Sequence, residues 1–250
     1  MSVTPDHAIA ARLAAEAGSL LLEIRAGRGT EDQRSLGRRG DQAAHDHLMA
    51  ALHRLRPADA VLSEEGVDDP QRLTQPRVWI VDPLDGTREF SEPDRDDWAV
   101  HVALWEAGEV AAAAVALPAR DLVLSTPEVA APPPRDARAR LRIVVSRTRP
   151  PRIAEQLAAR TGAQLVPMGS AGAKTAAVVL GEADAYVHAG GQYEWDSAAP
   201  VGVARAAGLH ASRLDGSALV YNGVDAKMPD LLVCRPELAS MLRSAIDDLL

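Results

Sequence analysis

The chain has 250 residues, 47% of them apolar, which suits one large domain or two closely packed halves and argues against disorder. Its formal net charge of −8 argues against a nucleic-acid binder, which needs a basic face, and no apolar run approaches the ~18 residues of a membrane span. The lone cysteine, Cys234, rules out an internal disulfide and sits in an apolar run as a buried small hydrophobe. With no basic leader after Met1, a soluble cytoplasmic protein is expected.

Ile9, Leu13, Leu20 and Ile24 recur at helical spacing and predict a helix over 6–26, ended by Gly27. The polar, glycine-bearing stretch 28–40 reads as a mobile loop, and a second helix follows over 41–56, stopped by Pro57. Short strands are predicted at 60–62 and 78–81, then a hairpin from 99–105 and 110–117, with a further strand at 122–125. Pro132-Pro133-Pro134 divides an α+β half, 1–134, from an α/β half, 135–250. In the second half, strands at 141–145, 164–166 and 185–187 alternate with helices at 152–160, 171–180 and 196–207. Two short strands and a last helix, 236–249, close the chain.

Acidic residues cluster at strand ends and helix starts: Glu64, Asp82, Asp85 and Asp196. A buried strand ends at Asp82, Pro83 fixes the backbone, and Gly86 permits a tight turn, so Asp82 and Asp85 can converge on one point. Carboxylate oxygens are the ligands that hard Mg²⁺ prefers. A short helix starting at Gly86-Thr87 would add free N–H groups for a phosphate. Taken singly, each acid has an ordinary reading: an Asp-Gly turn, a solvated Glu64-Glu65 pair, helix caps at Asp41 and Asp196. His45 and His47, two apart on a helix, face different ways and read as surface residues.

Together the motifs are specific. The run from Trp79 to Phe90, centred on Asp82-Pro83-Leu84-Asp85-Gly86-Thr87, resembles the first signature of the inositol monophosphatase superfamily. Trp195-Asp196-Ser197-Ala198-Ala199-Pro200 resembles its second, Ser63-Glu64-Glu65-Gly66 its preceding acidic turn, and Gly169-Ser170 with Ala183-Asp184-Ala185-Tyr186 its substrate-binding segment. The resemblance implies a layered αβαβα sandwich of the inositol monophosphatase and fructose-1,6-bisphosphatase type. It implies Glu64, Asp82, Asp85, Asp196 and the Leu84 carbonyl as ligands for two or three Mg²⁺ ions, and Asp41 with Thr87 as the pair that activates water. The Gly86 and Thr87 N–H groups would cradle phosphate. It also implies inhibition by Li⁺ and a homodimer. Many relatives carry Ser-Pro-Val-Thr before the acid matched by Asp41; this chain has Gly37-Arg38-Arg39-Gly40, a departure at the third metal site and its flap.

Ser146-Arg147, then Ser170 with Lys174, resembles the CysQ-type 3′-phosphoadenosine 5′-phosphate phosphatases of sulfate assimilation. These four residues would hold a second phosphate, and Tyr193 or Trp195, after Gly190-Gly191, would meet ribose or base. Alternatively, Ser170 caps a helix, Arg147 and Lys174 are solvated, and Trp195 only packs. The implied activity is release of the 3′-phosphate, with inositol monophosphate and fructose 1,6-bisphosphate as other substrates of such a centre. An inactive nucleotide-binding relative is the reading from another class.

Overall fold

A computed structural model describes residues 5–249. Five layers stack as α, β, α, β, α. The first sheet orders β1 (Ala60–Ser63), β2 (Arg77–Asp85), β3 (Ala99–Glu106), β4 (Glu109–Leu117) and β5 (Leu122–Ser125) side by side. β1 pairs parallel to β2, and the other neighbours are antiparallel. The second sheet runs β7 (Gln164–Met168), β6 (Arg142–Ser146), β8 (Ala185–Tyr193), β10 (Lys227–Cys234), β9 (His210–Ser212).

Strand alternation sorts the core. Trp79, Val81, Val100 and Val102 point from the first sheet onto α1 (Asp6–Ala26) and α2 (Gln33–Leu55). Val78, Ile80, Ala103 and Val115 point the other way, onto α5 (Ala171–Val179) and α6 (Glu194–Ala206). Those two helices also meet Val144, Tyr186, Leu231 and Val233 of the second sheet and so form the middle layer. On the outer face of the second sheet, Ile143, Val145 and Cys234 pack against α4 (Arg152–Thr161) and α7 (Pro236–Asp247). Cys234 is fully buried, and burial pushes its thiol up to about 12.

Several segments depart from their sequence-based expectations. Residues 33–40, read as loop, form the first two turns of α2. Asp32 caps the helix by accepting from the Ser35 N–H at 3.0 Å, and Leu36 is buried. The glycines that suggested mobility permit close packing instead. A Cβ at Gly37 would lie 2.7 Å from Thr87 Cγ2, and one at Gly40 would lie 2.8 Å from Phe90 Cε1. Asp41 is therefore not a helix-starting acid but a buried residue inside α2. His45 and His47, expected at the surface, are half-buried; His45 Nδ1 is 2.9 Å from Ser63 Oγ. β2 and β8 outrun their predicted ends, reaching Asp85 and Tyr193. β10, expected to be short, spans eight residues. Among the described residues no helix is long and apolar enough to cross a membrane.

The glycine assignment has a test with a definite sign. Gly→Ala within a helix normally stabilises by about 1 kcal/mol. At Gly40 the added methyl meets Phe90, which is pinned edge-on against Trp98 at 5.1 Å. Overpacking costs about 1–3 kcal/mol, which cancels or outweighs that gain by up to about 2 kcal/mol, so Gly40→Ala should lower the melting temperature, by up to roughly 8 °C. A rise in a thermal melt would restore the flexible-segment reading.

Candidate active site

β2 delivers two carboxylates at its end. Its register with β3 shifts between Asp82 and Asp85, and the Leu84 N–H folds back onto Asp82 Oδ1 at 3.0 Å. Gly86 then takes φ +89°, a left-handed conformation that suits glycine, and starts the short helix α3 (Thr87–Ser91). Asp196 comes from the opposite half, in the first turn of α6, where its carboxylate accepts the Tyr193 N–H at 2.7 Å. One oxygen each from Asp82, Asp85 and Asp196 lies within 4.8 Å of the other two. Glu64 follows β1, and its carboxyl stands beside that of Asp82, close enough for each to shift the other's proton affinity. On the α2 side, the Thr87 hydroxyl is 3.2 Å from both Asp41 Oδ2 and the Leu84 carbonyl oxygen. Asp41 Oδ1 is buried with no partner among the described residues.

Burial and mutual repulsion set the proton affinities. Burial first, then Glu64 and Glu65, push Asp41 up to about 8. Burial, offset by the Asp82 contact and reinforced by Asp85, pushes Glu64 up to about 7, although the residue as a whole is exposed. Asp196 rises to about 7 through burial and Asp85, and Asp82 rises well above its ordinary value through burial and Glu64. Asp85 goes the other way. Burial opposes its charge, but His101, Lys174 and Ser170 outweigh it and hold the carboxyl near 2. Its Oδ2 accepts from Ser170 Oγ at 2.5 Å and from the Gly172 N–H at 2.8 Å.

His101 on β3 is the residue that sequence reasoning missed. It is fully buried, with Nε2 3.2 Å from Asp85 Oδ2, Nδ1 3.0 Å from the Trp195 carbonyl oxygen and Nδ1 4.0 Å from Asp82 Oδ2. It thus touches or borders both acids of β2 and the backbone next to Asp196. Burial favours its neutral form, but Asp85 and the Trp195 carbonyl raise its pKa overall. The available signal was a polar residue within the apolar strand Ala99-Val100-His101-Val102-Ala103. Gly172 makes room for it, since a Cβ there would sit 2.2 Å from Nε2.

Of the expected substrate residues, Ser146, Arg147, Ser170 and Lys174 line one cavity of about 160 Å³ together with Asp85 and Asp196, although several are already engaged; Gly86 and Thr87 line a separate cavity with Thr148 and Arg149, and Tyr193 lines neither. The Ser170 hydroxyl donates to Asp85 and accepts the Ala173 N–H, capping α5. Lys174 is buried, not solvated: its ammonium donates to the carbonyls of Gly169 and Ser170 and lies 5.2 Å from the Tyr186 ring centroid. Arg147 is likewise not free in solvent; it pairs with Glu89 and Glu92, each at 2.6 Å. Ser146 Oγ accepts the Arg149 N–H at 3.3 Å. Tyr193, half exposed, stacks on Trp195 at 4.8 Å.

Three convergent carboxylates, with Glu64 beside Asp82 and an orphaned carboxylate oxygen on Asp41, form a donor set suited to hard divalent cations. Residues 3–248 match the model of the inositol monophosphatase family. The chain belongs to that family. It is 54% identical over 240 residues to a 3′-phosphoadenosine 5′-phosphate phosphatase of Mycobacterium tuberculosis, covering 93% of this chain and 90% of that protein. It is 33% identical over 194 residues to the 3′(2′),5′-bisphosphate nucleotidase CysQ of Escherichia coli, covering 72% and 77%. The structure of CysQ from Bacteroides thetaiotaomicron, a bacterial member of the family, superposes with a TM-score of 0.81 at 27% identity, over 93% of this chain and 98% of that one. The five-layer architecture is that of the family.

The opposed shifts predict how the metal-free protein responds to pH. A carboxyl whose folded pKa is raised stabilises the fold at low pH, and that contribution is lost as pH climbs through the raised value. For Glu64, Asp196 and Asp41 the loss begins above the ordinary carboxyl values of about 4 and is complete by about pH 7 to 8. Asp85, held near 2, contributes stability that disappears only in strong acid. Without metal, the melting temperature should therefore decline from about pH 5 to pH 8. Asp82→Asn removes one repelling charge and should raise the melting temperature at pH 8 while shrinking the gain from added Mg²⁺. A variant that melts well below wild type in the absence of metal would instead make Asp82 a structural turn residue.

Proposed function

We propose that this chain is a Mg²⁺-dependent phosphomonoesterase that hydrolyses 3′-phosphoadenosine 5′-phosphate to AMP and phosphate. The observation that carries the reading is the meeting of the Asp41–Thr87 pair with the acids Glu64, Asp82, Asp85 and Asp196. The named activity of the 54%-identical relative supports the substrate. Glu64, Asp82, Asp85, Asp196 and the Leu84 carbonyl would hold two or three Mg²⁺ ions. Bound there, the cations would supply Lewis acidity and neutralise charge on phosphate and water.

The chain's own residues handle position and protons. Thr87 donates its hydroxyl hydrogen to Asp41 and accepts one from the attacking water. The water proton passes through Thr87 to Asp41, whose carboxylate lies 3.2 Å from that hydroxyl. The backbone N–H groups of Gly86 and Thr87 orient the phosphate. The water oxygen bonds to phosphorus as the bond to the ribose 3′-oxygen breaks, and that oxygen leaves as a hydroxyl after taking a proton from solvent. Ser170, Gly172 and His101 hold Asp85 in place, and Ser170 also faces the cavity in which substrate would sit.

Thr87→Ala should lower kcat by about 10²–10⁴ while KM changes little. Asp41→Asn should show a similar loss, and the double variant should be scarcely worse than either single one, because the pair acts as a unit. Steady-state phosphate release at saturating Mg²⁺ checks this; multiplicative losses would separate the two residues.

Wild type should show a higher kcat/KM for 3′-phosphoadenosine 5′-phosphate than for inositol 1-phosphate at fixed Mg²⁺. Lys174→Ala should reduce both, since Lys174 braces the Gly169-Ser170 turn that holds Asp85. A loss confined to the nucleotide would make Lys174 a direct contact to the second phosphate. Preference for inositol phosphate in wild type would overturn the substrate assignment.

A further inference from the structure

Asp196 must be carried from the second half to the acids of the first, and a buried network lies beside it. Arg72 sits in the short 3-10 turn Pro70–Thr74, eight residues after Glu64, and is only 1% exposed. Its guanidinium grips Asp68 with Nε at 2.6 Å and Nη2 at 3.0 Å. The remaining donors reach 150 residues along the chain, Nη1 to Asn222 Oδ1 at 2.7 Å and Nη2 to the Gly223 carbonyl oxygen at 2.9 Å. From the other side, Glu194, also 1% exposed, accepts the N–H groups of Asn222 and Gly223, each at 2.7 Å. Glu194 opens α6 two residues before Asp196. An acid in the first turn of a helix ordinarily serves that helix's own end. This one grips a separate connection instead.

We infer that Arg72, Asn222 and Glu194 form a positioning clamp for the metal site. Segment 222–223 is held between the loop that follows Glu64 and the first turn of α6, so the clamp fixes Asp196 against Glu64, Asp82 and Asp85. None of the three clamp residues is among the carboxylates that converge. Metal sites need their ligands held to within about 0.5 Å, and outer-shell partners typically contribute 10–100-fold in metal affinity. Arginine is required because a bidentate grip on Asp68 must coexist with two further bonds, a fork that lysine lacks. Asn222 has φ +60°, which asparagine tolerates while its side chain meets Arg72. The inference rests on the proposed metal-dependent reading of the site.

The test titrates Mg²⁺ into metal-free protein and follows the rise in melting temperature, a binding readout that needs no turnover. Asn222→Gly keeps the backbone conformation and the N–H to Glu194 and removes the side-chain bonds to Arg72, where Oδ1 accepts from Nη1 and Nδ2 donates to the carbonyl oxygen at 3.4 Å; Arg72→Lys removes the fork. Both should bind Mg²⁺ roughly 10-fold more weakly, with substrate KM at saturating Mg²⁺ within about twofold of wild type. Folded Asn222→Gly that binds Mg²⁺ as tightly as wild type overturns the clamp. So does a rise in KM without a change in Mg²⁺ binding, which would place segment 222–223 against the substrate. If wild type itself shows no response to Mg²⁺, the metal-dependent reading fails, and the clamp falls with it.

Discussion

Carboxylates repel, and this fold gathers several of them in a place with little water. Asp82 and Asp85 are buried, Asp196 approaches both, and Glu64 and Asp41 stand beside them. At ordinary ionisation such a cluster destabilises whatever holds it. The structure answers unequally. Asp85 is stabilised as an anion by the Ser170 hydroxyl, the Gly172 N–H and the neighbouring His101. Among the described residues Asp82, Asp196 and Asp41 accept one donor each, the Leu84 N–H, the Tyr193 N–H and the Thr87 hydroxyl, a smaller set than the one around Asp85, and their proton affinity is raised, as is that of Glu64. One fixed anion among protonatable ones is a site whose negative charge can be released to a cation without dismantling the support around it.

That support crosses between the two sheets. Asp85 belongs to the first sheet, and its donors Ser170 and Gly172 lie at the start of α5 in the middle layer. His101 on β3 reaches the Trp195 carbonyl next to Asp196. Asp97 accepts the Gly169 N–H, and Arg147 at the end of β6 pairs with Glu89 and Glu92 around α3. Each link joins residues far apart in sequence and buried or half-buried in space. Their energetic worth lies less in net stability than in geometry, since paired buried charges return little beyond their desolvation cost.

Much of this was legible in the sequence. Strand alternation and turn chemistry located β1 to β8, with β2 and β8 read too short, because apolar period and breaker residues report local structure directly; the last two strands were expected only as short strands without bounds. The acids were legible because their spacing in Asp82-Pro83-Leu84-Asp85-Gly86-Thr87 and Trp195-Asp196 resembles known signatures. What could not be read was tertiary. Gly37 and Gly40 looked like flexibility because a glycine does not state whether its missing Cβ leaves freedom or room for Phe90 and Thr87. Lys174 looked solvated or substrate-facing because no local pattern reveals that the carbonyls of Gly169 and Ser170 lie within its reach. His101 was invisible because its partners come from β2 and from α6, nearly a hundred residues away.

The composition of the middle layer follows from the same constraint. For Asp85 at the end of β2 to meet donors on α5, the first sheet and that helix must approach closely. Long side chains between them would hold them apart. Instead the α5 sequence is Ala171-Gly172-Ala173-Lys174-Thr175-Ala176-Ala177, and α6 contributes Ala198, Ala199 and Gly202. A Cβ at Gly202 would lie 2.6 Å from Ala113 Cβ on β4, and one at Gly172 would displace His101. The helices trade apolar burial for proximity, and the aliphatic bulk is moved to the outer layers, where Leu13, Leu21, Leu48 and Leu52 cover the first sheet. Small residues in α5 and α6 thus shape the acidic site from outside it: they set the distance at which carboxylates from two halves of the chain become one cluster.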